Sequence, residues 1–286
     1  MPSNATAPGK LVKSFLSTGS LGLSRSVSRV QALLQSPQYN AADLAEQMRT
    51  DPTLTARVMA VANSAFFHKT PCDNITDAVN RLGTAQLTYI FGQVLAGAVL
   101  VTPLQGYGLS SQKIWQRAVI TGVGAEFAAG RSGEDRSLAY LVGLLHEIGM
   151  LVVDRCWSQL ADRRPLRYAD FATEYSLDEQ QLLSCHQADC GGELLKQLSF
   201  PDSVCRQVRQ QYRAPQEPMA RALYLGRLAK ATHSAEFPPA PDLEVLALCG
   251  FSSRRKLEGY IAEVITEAQK RINGNRAGSR SNDAWR

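Results

Sequence analysis

The chain has 286 residues, of which 44% are apolar and 20% are charged. This balance excludes a collagen-like or wholly disordered chain and is typical of a folded protein with one large or two small domains. We find neither a signal-peptide pattern nor an apolar run of membrane length, so we expect a cytoplasmic protein without membrane contact.

The formal net charge of +5 is concentrated at the C-terminus. Residues 254–286 contain eight Lys or Arg and four Asp or Glu, a net +4, which leaves +1 for the first 253 residues. A basic tail can bind a polyanion, but it also solubilises a helix and a disordered end. Nucleic-acid binding through the tail therefore stays the lesser interpretation.

The six cysteines are scattered and include no C-x-x-C pair, which predicts free thiols rather than disulfides. They are Cys72, Cys156, Cys185, Cys190, Cys205 and Cys249. His186 and Cys190 are four residues apart in one predicted helix, a spacing that can hold zinc. No fourth ligand is near in sequence, so we favour cysteines that act as small core residues.

The first 22 residues show little hydrophobic periodicity, and we expect them to form a flexible leader. Helices are predicted from about Leu23, with a break at Ser36-Pro37 and a second short helix over Ala41–Arg49. Asp51 then provides an N-cap, and Pro52 takes the first helical position.

Three further positions mark local structure in the first half of the chain. Asn63 and Ser64 lie near the end of the helix after Pro52, which is predicted to stop around Phe67-His68, and we expect them to cap it or to bind a neighbouring loop. Gly83 is a predicted C-cap between a short helix and a long apolar one. Trp115 lies at helical spacing in a later helix, where a core role is more common than an exposed anchor.

Leu138–Val153 reads LAYLVGLLHEIGMLVV, an apolar segment with apolar residues on every side of a predicted helix. It contains one pair of ionisable residues, His146 and Glu147. A buried charge is costly unless it is paired, hydrogen-bonded or bound to a metal. The sequence therefore predicts polar partners for this pair elsewhere in the chain.

No segment alternates with a period of two, so we predict an all-α fold. Helices are expected near Tyr168–Tyr175, over Asp178–Leu198, and from Asp202 or Ser203 to about Tyr212. Residues 214–273 then form a predicted C-terminal helical extension, in which a proline linker at Pro238–Pro241 precedes a helix with an apolar stripe from Leu257 to Ile272. We expect residues 274–286 to be a disordered basic tail.

Five blocks of the chain, in order, are similar to the HDOD family. They read DPTLTARVMAVANSAFF, ITDAVNRLG, IWQRAV, GLLHEIG and CHQADCGGELLKQLSFP, and they place an HDOD domain at residues 23–213. The resemblance implies an HD-like multi-helix bundle related to the metal-dependent phosphohydrolases of the HD superfamily. It also implies a regulatory module of bacterial signalling that is generally non-catalytic. The family-motif residues are Asp51, Pro52, Asn63, Ser64, Gly83 and Trp115.

The resemblance also implies a degenerate form of the H…HD…D metal-ligand set. Arg117 takes the position of the first His, His146 is retained, Glu147 replaces the Asp, and His186 matches a His that HDOD proteins keep. No Asp aligns with the last ligand. A guanidinium at the first position repels a metal ion. We therefore expect no catalytic residue, no metal and no cofactor, although any metal that did bind would be held by His146, Glu147 and His186.

The same positions predict what replaced the metal. Arg117 and Glu147 are expected to form a bidentate ion pair, with His146 as a neutral hydrogen-bonding residue next to His186. The extension is expected to bury its apolar stripe on its own domain, or otherwise on a partner.

We thus expect a non-catalytic regulatory protein that acts through protein–protein binding and can form a homo-oligomer. Two alternatives remain open. One is a divergent HD-type metal-dependent phosphohydrolase, and the other is a nucleic-acid-binding regulator that uses the basic C-terminal tail.

Overall fold

The structure is a computed structural model and describes residues 8–18, 25–34, 36, 40–64, 67, 70–166, 177–198, 200–234 and 243–282. Within these ranges the chain forms helices and no strand, apart from an isolated antiparallel bridge between Leu104 and Leu109. The predicted all-α class is confirmed. The predicted helix over Tyr168–Tyr175 and the proline linker at Pro238–Pro241 lie outside the described residues.

The helices follow one another with short connections. In the first half they are α1 (Pro8–Ser17), α2 (Arg25–Leu34), α3 (Ala41–Arg49), α4 (Pro52–Ala62), α5 (Ile75–Val99), α6 (Ser111–Ser132) and α7 (Arg136–Leu145). In the second half they are α8 (Gly149–Trp157), α9 (Leu177–Leu183), α10 (Gln187–Gln197), α11 (Asp202–Arg209), α12 (Pro218–His233), α13 (Leu243–Leu248) and α14 (Arg254–Asn282).

The N-terminal segment differs from the flexible leader that we predicted. Pro8–Ser17 form α1, which buries Val12 and Phe15 and packs against α10 and α8. The short stretch PGKLVKSFLS carries its apolar residues on one helical face, and burial of that face stabilises it. Polar residues precede and follow this short stretch, so its helical periodicity was not detected in the sequence. Residues 1–7 and 19–22 lie outside the described residues.

The predicted start of α4 is confirmed. The Asp51 carboxylate accepts a hydrogen bond from the Leu54 amide at 3.0 Å, and Pro52 is the first helical residue. The helix ends at Ala62, earlier than expected, and Asn63 then binds the following loop. The Asn63 side chain accepts from the Cys72 amide at 2.8 Å and donates to the Cys72 carbonyl at 3.0 Å. Asn63 therefore fastens a loop, as predicted.

Gly83 is the point at which α5 bends. Its φ of 68° and ψ of 171° interrupt the helical backbone, so the short and the long helix predicted around it run on as one kinked element. A positive φ of this size favours glycine, because other residues meet steric strain there. Trp115 on α6 is partly buried and packs against the hydrophobic core, as expected of a core residue.

The central apolar segment is two helices rather than the single helix that we predicted. A turn at residues 146–148 separates α7 from α8, and there the Ile148 amide bonds the Leu145 carbonyl at 3.0 Å. Directly after this turn, α10 approaches α8 very closely at Gly149. A Cβ on Gly149 would lie 1.9 Å from the Gln187 carbonyl oxygen. The turn carries both His146 and Glu147.

The predicted helix over Asp178–Leu198 is also divided in two. Ser184 has a φ of 53°, and His186 is the N-cap of α10, with Nδ1 accepting from the Ala188 amide at 3.2 Å. His186 and Cys190 therefore do not share a helical face, and the zinc spacing considered for them does not arise. All six cysteines are free, as predicted.

The C-terminal extension is built into the same core. α12 packs against α6 and α7, and α14 packs against α6 and α12. A Cβ on Gly226 of α12 would lie 2.3 Å from the Thr121 carbonyl oxygen of α6, so the two helices meet at their backbones. α14 buries Tyr260, whose hydroxyl donates to the Gly124 carbonyl. The predicted packing on its own domain is confirmed.

The end of the chain departs from the predicted disordered tail. α14 continues through residues 274–282 to Asn282, because each residue added to a formed helix gains a hydrogen bond without the cost of a new nucleus. Residues 283–286 lie outside the described part of the chain.

Two helical segments among the described residues are long and apolar enough to cross a membrane by length and composition, which we did not expect. They are Ile75–Val99 and Arg136–Trp157. Of the apolar window in Ile75–Val99, 44% is buried within the protein, and of the apolar window in Arg136–Trp157, 83% is buried. A core helix meets the same criteria, so these segments are not in themselves an indication of a membrane.

Candidate functional site

Arg117 and Glu147 form the buried ion pair that the sequence predicted. Arg117 projects from α6, and Glu147 lies in the turn between α7 and α8. Arg117 Nη2 lies 2.6 Å from Glu147 Oε1, and Arg117 Nε lies 3.1 Å from Glu147 Oε2. Two parallel charge-assisted hydrogen bonds of this kind fix both distance and orientation.

Lys230 is a third member of this site and was not predicted. It lies on α12, its side chain is 1% exposed, and its Nζ is 2.7 Å from Glu147 Oε1. The same Nζ lies 3.0 Å from Nε2 of His146. The Lys230 ammonium thus bridges the two residues of the His146–Glu147 doublet.

The hydrogen bonds assign the protonation of His146. Its Nδ1 lies 2.7 Å from the Gly143 carbonyl oxygen, which can only accept, so Nδ1 carries the proton. Nε2 is then a lone-pair acceptor for the Lys230 ammonium. Burial lowers the pKa of His146, and the nearby charge of Lys230 lowers it further. His146 is a neutral imidazole, as predicted.

Glu147 is held as a carboxylate by its cationic neighbours. Burial alone would raise the pKa of Glu147, but Arg117 and Lys230 outweigh that effect and hold the pKa well below its ordinary value. Both carboxylate oxygens are engaged by donors from these two residues. Glu147 is therefore a poor general base, because a proton would displace a cationic partner.

The ring nitrogens of His146 face Gly143 and Lys230, and not His186 as predicted, and His186 belongs to a second buried polar cluster. Its Nε2 is 3.8 Å from Oε2 of Glu179. Glu179 accepts hydrogen bonds from the Tyr107 hydroxyl and the Gln187 amide, each at 2.7 Å. Burial raises the pKa of Glu179 to about 7 and lowers that of His186 to about 4.

The two clusters are joined through Gln211 and Tyr212. Gln211 Nε2 donates to the His146 carbonyl at 2.6 Å, and Gln187 Nε2 donates to the Tyr212 hydroxyl at 2.8 Å. Arg227 of α12 donates to the Gln211 carbonyl and lies over the Tyr212 ring at 4.3 Å. α12 therefore contacts both clusters.

These residues do not fit a catalytic dication. A metal needs several converging ligands with free lone pairs. Here the Nε2 lone pair of His146 and the Glu147 carboxylate already accept from Lys230 and Arg117. His186 lies in the other cluster, and in the described part of the chain no three His, Cys, Asp or Glu side chains converge on one point.

The HDOD domain model matches residues 22–214 of this chain. The chain belongs to the HDOD family. The HDOD match includes Arg117, His146, Glu147 and His186 but ends before α12 begins at Pro218. Lys230 therefore completes the polar site around His146 and Glu147 from outside the residues that the HDOD model matches.

Solved structures with the same fold are distant in sequence. One from Shewanella amazonensis, named as a candidate metal-dependent phosphohydrolase, is 20% identical, with 92% of this chain and 99% of that chain covered and a TM-score of 0.55. One from Marinobacter aquaeolei, named as a candidate signal transduction protein, is 22% identical, with 98% and 68% covered and a TM-score of 0.55. At these identities the likeness shows the fold alone. No curated protein matches the chain.

Most of the family-motif residues lie away from the polar site. Asp51, Pro52, Asn63 and Gly83 shape the helix ends and loops of α4 and α5, and Ser64 donates to the Val61 carbonyl at 2.7 Å. Lys230 was missed, although the run ALYLGRLAKA around it holds a signal. Two cations in an apolar helix need buried partners, and Glu147 is one of them.

Proposed function

We propose that this HDOD protein is a non-catalytic regulatory protein that acts by binding a protein partner. The observation that supports the proposal is the position of the Lys230 ammonium, within hydrogen-bond distance of both His146 Nε2 and Glu147 Oε1. An internal cation takes the place that a metal bound by these two residues would need. Membership of the HDOD family supports the regulatory role.

The chemistry of the site agrees with binding rather than hydrolysis. Metal-assisted hydrolysis needs an ion that polarises the phosphoester or activates a water molecule. Arg117 and Lys230 carry positive charge but are not metal ions, and each of them donates to the Glu147 carboxylate. These contacts support the proposal that the protein binds a partner without turnover.

The proposal is tested with the purified full chain supplied with Mn²⁺, Mg²⁺ or Ni²⁺. We expect no release of product from phosphoester, nucleotide or cyclic-dinucleotide substrates above the background of buffer. A matched pair of variants, His146→Ala in the site and Lys256→Ala on the exposed face of α14, serves as the control. Turnover that disappears in His146→Ala and survives in Lys256→Ala would show a divergent phosphohydrolase instead.

The protein partner is tested separately. A complex should form with a protein from the source cell, and it should re-form from the two purified components. Re-formation with purified components is the decisive result, because capture from an extract alone does not show a specific contact. A chain that binds no protein but shifts nucleic acid in a salt-dependent manner would favour the nucleic-acid alternative.

A further inference from the structure

The short helix α13 exposes leucine side chains at both of its ends. Among the described residues three large apolar side chains are strongly exposed, and two of them are Leu243 and Leu248 of α13. The opposite face of the helix buries Val245 and Leu246 in the core. Single exposed leucines are common on any protein, but neighbouring ones on one surface are typical of a contact site.

A groove lies on each side of α13. One has a volume of about 240 Å³, lies between α13, the end of α6 and the start of α12, and includes Leu248 in its wall. The other has a volume of about 580 Å³, lies between α13, the end of α12 and the start of α14, and includes Leu243 in its wall. The two leucines are roughly 7.5 Å apart along the helix axis, so a partner segment of about two helical turns can reach both grooves.

The smaller groove, which we call the basic groove, is positively charged. Its described lining includes Arg131 and Arg221 and no Asp or Glu. Arg221 donates to the Gln216 carbonyl at 2.6 Å, and no ion pair among the described residues includes it, so no carboxylate offsets its charge. The Arg131 guanidinium lies over the Tyr260 ring at 4.8 Å, and its pair with Glu263 at 3.6 Å is exposed and therefore contributes little. Both guanidinium groups can thus pair with the carboxylates of a partner.

The larger groove, which we call the apolar groove, is close to neutral. Its charged lining residues, Arg254 and Glu258, pair with each other at 2.9 Å. Its apolar lining comes from three helices and the loop before α14 and consists of Leu228, Leu243, Leu246, Phe251, Leu257 and Ile261. A concave apolar groove accepts the side chains of a helix that lies along it, whereas a flat lipid surface would leave it unfilled.

We infer that α13 and its two grooves bind an acidic amphipathic helix of a partner protein. Leucines of such a helix fill the apolar groove, and its Asp or Glu side chains pair with Arg131 and Arg221 in the basic groove. A symmetric contact between two copies of this chain would instead bring two basic grooves together, so like charges disfavour a second copy as the occupant. The inference rests on the proposed function, because it names the surface and the kind of protein that this regulatory protein binds.

The test uses the full chain and a synthetic peptide as the probe. The peptide is labelled with fluorescein and forms a helix with Leu at every third or fourth position and Glu at the other positions, and its binding is measured by fluorescence anisotropy. We expect saturable binding that weakens as salt is added, because salt screens exposed charges. The same peptide with Lys in place of every Glu should not bind, since the basic groove repels it.

Three variants of the chain locate the binding surface. Leu248→Ser should weaken peptide binding about tenfold, which corresponds to about 1.4 kcal/mol, because it removes an apolar contact. Its side chain is 66% exposed, so the variant should keep the Tm of the wild type. Arg221→Gln should weaken binding about two- to fivefold and reduce its dependence on salt. Val101→Ser is the matched control, because Val101 is the third exposed apolar residue and lines neither groove, and it should leave binding unchanged.

The other outcomes overturn the inference in distinguishable ways. Absence of binding by the Glu peptide, equal binding by the wild type and Leu248→Ser, or equally tight binding of the Lys peptide would each exclude the acidic helix. A dimer of the wild type that Leu248→Ser abolishes would make a second copy the occupant, and binding to phosphatidylglycerol vesicles that the same variant abolishes would make this face a membrane surface. These results leave the non-catalytic proposal standing, whereas metal-dependent turnover of a phosphoester would overturn that proposal and leave the peptide site unaffected.

Discussion

The ammonium nitrogen of Lys230 lies 3.0 Å from Nε2 of His146, although the two residues are 84 positions apart in the chain. Only His146 falls within the HDOD match at residues 22–214. The polar centre of the HDOD domain is thus completed by a helix that the domain definition leaves out. The contact makes the stability of the site depend on α12.

Replacement of the shared carboxylate should be the most damaging change in the site. Glu147→Leu leaves Arg117 and Lys230 without the carboxylate they share and should lower the free energy of unfolding by roughly 3–5 kcal/mol. Arg117→Met should cost less, because Lys230 still pairs with Glu147. The free energies are measured by urea denaturation.

The double and triple variants test whether these residues act as a unit. Arg117→Met with Glu147→Leu should cost less than the sum of the single changes, and the further change Lys230→Met should recover stability relative to Glu147→Leu alone. Strictly additive effects would contradict a coupled buried cluster.

Lys230 should control the protonation of His146. Burial and the charge of Lys230 both lower the pKa of His146, so Lys230→Met should raise that pKa, which is measured by NMR titration of the imidazole. The direction of the pH effect on stability follows from the lowered pKa of His146. The wild type loses stability as the pH falls below 6.5, where the unfolded chain takes up the proton, and this loss should be smaller in the variant. An unchanged His146 titration would refute the contact.

Glu179 should lower the free energy of unfolding as the pH rises towards neutral. Burial raises the pKa of Glu179 from 4.5 to about 7, so its contribution is fully present below 4.5 and is lost as the pH rises through 7. The total is roughly 3 kcal/mol at about 1.4 kcal/mol for each pKa unit. The free energy of unfolding of Glu179→Gln should depend less on pH over this range. Parallel pH curves for the two proteins would exclude Glu179 as the source.

Gly226 should be essential for the docking of α12. A Cβ at this position would meet the Thr121 carbonyl oxygen at 2.3 Å. Because this oxygen belongs to the backbone, no change of side-chain rotamer can relieve the clash. Gly226→Ala should therefore lower the free energy of unfolding by about 1–3 kcal/mol. Gly259→Ala is the matched control on α14, since a Cβ there meets nothing within 4 Å and should stabilise the helix by about 0.5–1 kcal/mol. Similar effects of the two changes would disprove the close approach.

Removal of α13 and α14 should destabilise the HDOD region itself. α14 buries Leu257, Tyr260, Val264, Ala268 and Ile272. At about 1.5–3 kcal/mol for each large apolar side chain, several kcal/mol of burial are at stake. A chain that ends after Ser234 should show a lower Tm and more aggregation. An unaltered Tm would show that α14 contributes little to the core.

The features that the sequence predicted well rest on local or strongly constrained chemistry. Asp51 and Pro52 specify a helix start by themselves, and Gly83 marks a bend through its own backbone freedom. The pair of Arg117 and Glu147 was predictable for a different reason. Two opposite charges in buried helices need each other, and the HDOD resemblance gave their approximate positions.

The features that it missed depend on contacts between distant segments. The break between α7 and α8 lies next to Gly149, where Gln187 approaches closely, and no local pattern reports this contact. The place of His186 beside Glu179 depends on the break at Ser184. Lys230 was missed because helical periodicity identifies its helix as buried but not the carboxylate that it meets.

The long separation between Lys230 and Glu147 also has a consequence for synthesis. Chains emerge from the ribosome N-terminus first, and contacts between distant residues form late. Glu147 and Arg117 leave the ribosome while Lys230, 83 residues after Glu147, is still to be translated. The polar centre of the HDOD region therefore reaches its final form only after α12 has been made.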